Sequence, residues 1–82
     1  MAYLYILHSI TTDKYYIGST RDSIEQRLEK HLSNHKGFTA KAKDWKIAHL
    51  EYFQLYEDAY LRERTIKAWK SKKMIEKLIS KT

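Results

Sequence analysis

The chain has 82 residues and no cysteine. One small domain over residues 1–82 is expected, with neither disulfides nor a thiolate metal site. Sixteen Lys and Arg against ten Asp and Glu give a formal charge of +6 and a pI near 9.6, which points to a polyanionic partner, with a lysine face serving only solubility as the plain alternative. The apolar run within Met1 to His8 is far shorter than the ~20 residues of a membrane span, and no basic segment precedes it. A soluble protein of the reducing cytoplasm, with no membrane partner, is the expectation.

Ala2 to Ser9 and Lys14 to Ser19 are rich in Tyr, Ile and Leu and flank the polar Ile10-Thr11-Thr12-Asp13. This predicts a β-hairpin with a four-residue loop and strands buried on both faces. If the loop pairs Ser9 with Lys14, Leu7 lies opposite Tyr16 and Tyr5 opposite Gly18, all four on one face. Gly18 then leaves room opposite the Tyr5 ring, where two phenols converge and a backbone or ligand can come close. On spacing alone core packing is the plainer reading of Tyr5 and Tyr16, and a one-residue slip would send either one to the other face.

Ser23 is placed to cap a helix with Ile24, Leu28 and Leu32 recurring at fours and an end near Asn34. Arg27 and His31 are neighbours on it. A guanidinium fork beside an imidazole suits an anion; the alternatives are an ion pair of Arg27 with Glu25 or Glu29 and an ordinary surface role for His31. His35 to Asp44 reads as a surface loop and Trp45 to Tyr56 as a third strand.

Glu57 and Asp58 then complement the N-terminus of a second helix that ends near Trp69 or Lys70. Glu63 interrupts the apolar face of that helix, so it needs a cation partner: Arg27, Lys67 or a metal. A single carboxylate suits Mg²⁺ or Mn²⁺, whereas zinc would want His and Cys clusters that are missing. Ser71 caps a last helix with Met74, Ile75, Leu78 and Ile79 on one stripe. Lys72 and Lys73 in its first turn oppose the macrodipole and hint at a nearby phosphate. Lys41, Lys43 and Lys46, and Lys67, Lys70, Lys72 and Lys73, are the candidate nucleic-acid contacts. The order β-β-α-β-α-α predicts an α+β fold, a three-stranded antiparallel sheet flanked by helices.

Tyr3-Leu4-Tyr5, Tyr16-Ile17-Gly18-Ser19-Thr20, Arg27 with His31, and Leu61-Arg62-Glu63-Arg64 followed by Ile66-Lys67 and Trp69 come in the order found in the GIY-YIG nuclease superfamily. The chain resembles its small stand-alone bacterial members nearly end to end. The second signature fits fully; the first has Tyr for Gly and Leu for Ile but keeps the tyrosine after them. Where those members have Tyr-Thr and then a basic pair and Pro before Trp, this chain has Phe38-Thr39 and Lys43-Asp44-Trp45.

The resemblance implies a GIY-YIG endonuclease-like fold and a metal-dependent endonuclease. Tyr5 and Tyr16 would flank the scissile phosphate, one of them the general base toward water. Arg27 would stabilise the phosphoryl oxygens, His31 would assist by hydrogen bond or relay, and Glu63 would hold Mg²⁺ or Mn²⁺. DNA is the expected substrate, in repair or recombination, with a protein partner or homodimer supplying specificity. The rivals are a non-catalytic nucleic-acid-binding module using the lysines with Trp45 and Trp69, and a domain that binds an acidic protein.

Overall fold

The computed structural model describes residues 1–21, 23, 25–26 and 44–80. Strands β1 (Ala2–Ser9), β2 (Lys14–Thr20) and β3 (Trp45–Phe53) form an antiparallel sheet in the order β2-β1-β3, and helices α1 (Tyr56–Trp69) and α2 (Lys72–Ser80) follow. This is the expected α+β fold. The helix expected from Ser23 to Asn34 lies largely outside the described residues, as does the loop from His35 up to Asp44. At the start of that helix Ser23 Oγ accepts the Gln26 amide at 3.3 Å, the bond an N-cap serine makes.

The hairpin pairs Ser9 with Lys14, Leu7 with Tyr16 and Tyr5 with Gly18, the register its loop length predicts. Asp13 closes the loop at φ 51°, a left-handed conformation that Asp tolerates better than most residues. The loop is tied to the residue before β3. Asp44 Oδ1 accepts Ser9 Oγ at 2.6 Å, and Asp44 Oδ2 accepts both the Thr11 amide and the Thr11 hydroxyl at 2.9 Å. The Ser9 hydroxyl first, then the Thr11 amide, holds the Asp44 carboxyl down to about 2.

β1 is the central strand and is buried from both sides. Leu4 and Ile6 join Ile17 of β2, Ile66 of α1 and Ile75 of α2, ringed by Tyr15, Phe53, Trp69, Leu78 and Ile79. Tyr5 and Leu7 pack with Trp45 and Tyr16 on the opposite face. Each buried aliphatic side chain stabilises the fold by roughly 1.5–3 kcal/mol.

Strict alternation would put Trp45, Ile47, His49, Glu51 and Phe53 on one face of β3. The β1–β3 register instead slips by one between Ile6 and Leu7: Ile6 faces His49, Leu7 faces Ile47, and Ala48 is the extra residue of a bulge. His49, Glu51 and Phe53 therefore share a face with Ile6, Leu4 and Ala2, under the helices, while Trp45 joins the tyrosine cluster.

β3 ends at Phe53, not at Tyr56, because the chain turns there into α1. Leu55 is the N-cap, in extended conformation and with no side-chain cap, and its carbonyl accepts the Asp58 and Ala59 amides at 3.2 and 3.4 Å. Glu57 and Asp58 supply the negative charge that this end of the helix favours. Ser71 caps α2 as expected, its Oγ accepting the Met74 amide at 3.3 Å. Among the described residues no helix is long and apolar enough to cross a membrane.

Candidate active site

The hairpin register brings the two signature tyrosines together. Their rings stack with centroids 6.4 Å apart and planes inclined by 22°. Tyr5 also lies over Gly18: a Cβ there would sit 2.5 Å from Tyr5 Cζ and 3.0 Å from Cε2. Any side chain at position 18 would push the ring away. Tyr5 is 1% exposed and Tyr16 is half-buried, so within the pair Tyr16 is the residue that reaches solvent.

Glu63 approaches β2 from the other side. It sits on α1 between the buried Ala59 and Ile66, and its side chain is only 13% exposed. Oε1 accepts Ser19 Oγ at 2.5 Å and Oε2 accepts Lys67 Nζ at 2.6 Å. Of the cation partners considered from sequence, Lys67 is the one seen; Arg27 lies outside the described residues, as do His31, Lys41 and Lys43. Ser19 pairs with Leu4, whose side chain belongs to the helix-covered cluster, while its neighbour Gly18 pairs with Tyr5. The structure thus brings the phenols together on one face of β2, and brings Glu63 to the same strand on the opposite face. β2 is an edge strand, so both sets of groups border one edge of the sheet.

Among the described candidate phosphate-binding lysines, Lys67 pairs with Glu63 and Lys72 with Asp13, the latter at 2.5 Å. Asp13 also pairs with His8 at 3.1 Å. The hydrogen bond from Lys72, and then that from His8, lowers the Asp13 pKa, and the same bond from Asp13 raises that of Lys72. The charge of Lys72 at the α2 N-terminus, a hint of phosphate in the sequence, is therefore offset by the hairpin loop. Lys46 on β3, Lys70 at the end of α1 and Lys73 in the first turn of α2 are exposed.

A third polar group was not anticipated. His49 Nε2 lies 2.8 Å from Glu51 Oε2, and Arg62 donates to Glu51 through Nε at 3.0 Å and Nη2 at 3.3 Å. A carboxylate only accepts, so His49 Nε2 carries the hydrogen; its Nδ1 is buried with no partner among the described residues. Burial pushes the Glu51 carboxyl up, but the bonds from Arg62 and His49 outweigh it and hold the pKa below the ordinary value. The His-x-Glu spacing in β3 signals two polar residues on one face, but the bulge hides which face that is.

The donor set bears on the metal. Among the described residues no group of three or more His, Asp and Glu side chains gathers. Mg²⁺ commonly takes one or two carboxylates and fills its shell with water and phosphate oxygens. Glu63 is a single such carboxylate, and it would suit that pattern with Lys67 turned away from Oε2.

Comparison with curated proteins and with solved structures gave no match. The family model of the GIY-YIG catalytic domain, however, matches residues 1–77, a span that holds the tyrosine pair, Gly18 and Glu63. The chain belongs to the GIY-YIG catalytic-domain family, a family of nuclease type.

Proposed function

We propose that the chain is a metal-dependent endonuclease hydrolysing DNA phosphodiester bonds, with a place in repair or recombination. The observation that carries this reading is the stacked pair of phenols held against Gly18, in a chain of a nuclease-type family. A phosphate at the β2 edge of the sheet would meet Tyr16 on one side and Glu63 on the other. Tyr16, the more exposed phenol, would accept the proton of the attacking water as its phenolate, or pass that proton on by giving up its own in a relay, and Tyr5 fixes the orientation of its ring. Arg27 and His31 neutralise and hydrogen-bond the phosphoryl oxygens. Glu63, with Ser19 beside it, would hold Mg²⁺ or Mn²⁺, which when bound supplies Lewis-acid polarisation of the phosphate. Lys67 is half exposed on a flexible stem and is able to turn from Glu63 toward a phosphate. A protein partner or a homodimer would add specificity.

A second reading, a non-catalytic nucleic-acid-binding module, is favoured by one observation: both Glu63 oxygens already have partners within the protein. The two separate in a cleavage assay on labelled supercoiled, branched and single-stranded DNA, with an RNA control, in Mg²⁺, Mn²⁺ or EDTA. The nuclease reading expects metal-dependent cutting that falls by about 10²–10⁴-fold in Tyr16→Phe, and that is lost in Glu63→Ala while binding persists. Wild-type cutting rates in both variants would sink it. Binding without cutting under every metal condition would favour the module, or an enzyme that waits for its partner.

A further inference from the structure

Helices α1 and α2 meet at Lys70, which takes the left-handed conformation (φ 48°, ψ 35°). Between them lies a cleft of about 310 Å³ lined by Arg62, Trp69, Met74, Lys77 and Leu78. Its two charged side chains are both cations. Arg62 stands 5.7 Å from the centroid of the Trp69 ring and is held from behind by Glu51, which the buried His49 steadies in turn. A guanidinium fixed along one edge keeps its remaining N–H donors for a ligand. The chemistry selected is a flat, aromatic, negatively charged group: Trp69, with the Arg62 guanidinium over its ring, lines the cleft with flat π surface, Met74 and Leu78 offer adaptable apolar walls, and Arg62 and Lys77 attract an anion.

We infer that this cleft receives one unstacked nucleotide of the bound nucleic acid, its base against Trp69 and Arg62 and its phosphate at Lys77. The inference rests on the nuclease reading above and adds that the substrate presents an unpaired base. The cleft's volume is at the small end for ligand sites, and a base inside a duplex cannot reach such a pocket without leaving the stack. Arg62 and Glu63 are consecutive on α1, with Arg62 turned to β3 and Glu63 to β2. A strand seated in the cleft is therefore anchored on the helix that carries the site carboxylate.

The test uses a short DNA duplex with one extrahelical 2-aminopurine, and the same duplex with that base paired, titrated in EDTA. Wild type is expected to quench the extrahelical probe and to prefer the bulged duplex. Trp69→Leu should bind the bulged duplex about 10-fold more weakly and the paired duplex as before. Trp69 packs against the core, so Lys77→Gln, at an exposed position, serves as a second variant and should weaken the bulged complex more than the paired one. Equal binding of both duplexes without quenching, or variants that bind the bulged duplex like wild type, would overturn the cleft assignment and leave the nuclease reading standing. Failure of wild type to bind either duplex at low salt, in EDTA or with Ca²⁺ in its place, would overturn the cleft assignment, and the cleavage assay then decides the nuclease reading. Capture of an acidic peptide in place of DNA, lost in Trp69→Leu, would give the cleft to a protein partner instead.

Discussion

On the helix side of the sheet the packing is aliphatic, Leu4, Ile6 and Ile17 against Ile66 and Ile75, and Ser19 pairs there with Glu63 and Arg62 with Glu51. On the opposite side Tyr5, Tyr16 and Trp45 pack around Leu7, and one ring rests directly on a glycine. Aliphatic side chains can partly close over a small change in shape. A ring pressed on a backbone has no such slack. The comparison locates most of the fold's cohesion on the first side and the fixed geometry on the second.

The strongest challenge to this division is Ile66→Ala. The residue is fully buried between α1 and the sheet, and its truncation is expected to cost about 2–5 kcal/mol in chemical denaturation. A loss well under 1 kcal/mol would show that the aliphatic side does not carry the fold. Gly18→Ala comes next. Its Cβ must displace the Tyr5 ring, so about 1–3 kcal/mol of stability is expected to go, together with a changed near-ultraviolet tyrosine signal and a drop in cleavage larger than any loss of folded protein explains. Activity that merely tracks the folded fraction would mean that the ring's position does not matter.

Much of this was legible in advance, and the reason lies in which interactions are local. The hairpin could be read to the residue, because a four-residue loop fixes the register and the register alone brings Tyr5, Tyr16 and Gly18 together. Ser71 as the α2 cap was legible for the same reason. Ala48 was not: a bulge inserts a residue without leaving a mark in composition, and so it concealed the change of face within β3 and the meeting of His49, Glu51 and Arg62. The partners of Lys72 and Asp44 also escaped, since Asp13 is 59 residues from the first and Ser9 is 35 from the second. The alternation that placed the tyrosines gave no hint that Glu63 reaches β2 from the other face, because that depends on how a helix crosses a sheet.

Two smaller effects are expected at the sheet's rim. The Asp44 carboxyl is held at about 2, below its ordinary 3.8. Its bonds to Ser9 and Thr11 therefore contribute stability that is complete above the unfolded value and is lost as the pH falls from about 4 through about 2. The Tm gap between wild type and Asp44→Ala is expected to stay constant above about pH 5 and to narrow across that acid window. A gap that ignores pH would mean the carboxylate does not hold the loop. The smallest effect is expected from Lys72→Ala, since its pair with Asp13 is solvent-exposed. A slight drop in Tm at low salt should vanish by about 1 M salt; a drop that persists there would assign Lys72 a packing role.

The double burial of β1 has a consequence for how this chain can diverge. Ala2, Leu4 and Ile6 answer to the helices, Tyr5 and Leu7 to the aromatic cluster, and Ser9 to Asp44. In an antiparallel strand with one face in water, every second position is only loosely constrained. Here successive positions of β1 answer to different neighbours, so random variants should survive least often in this segment, and acceptable changes should arrive in pairs, one in β1 and one in the layer it touches.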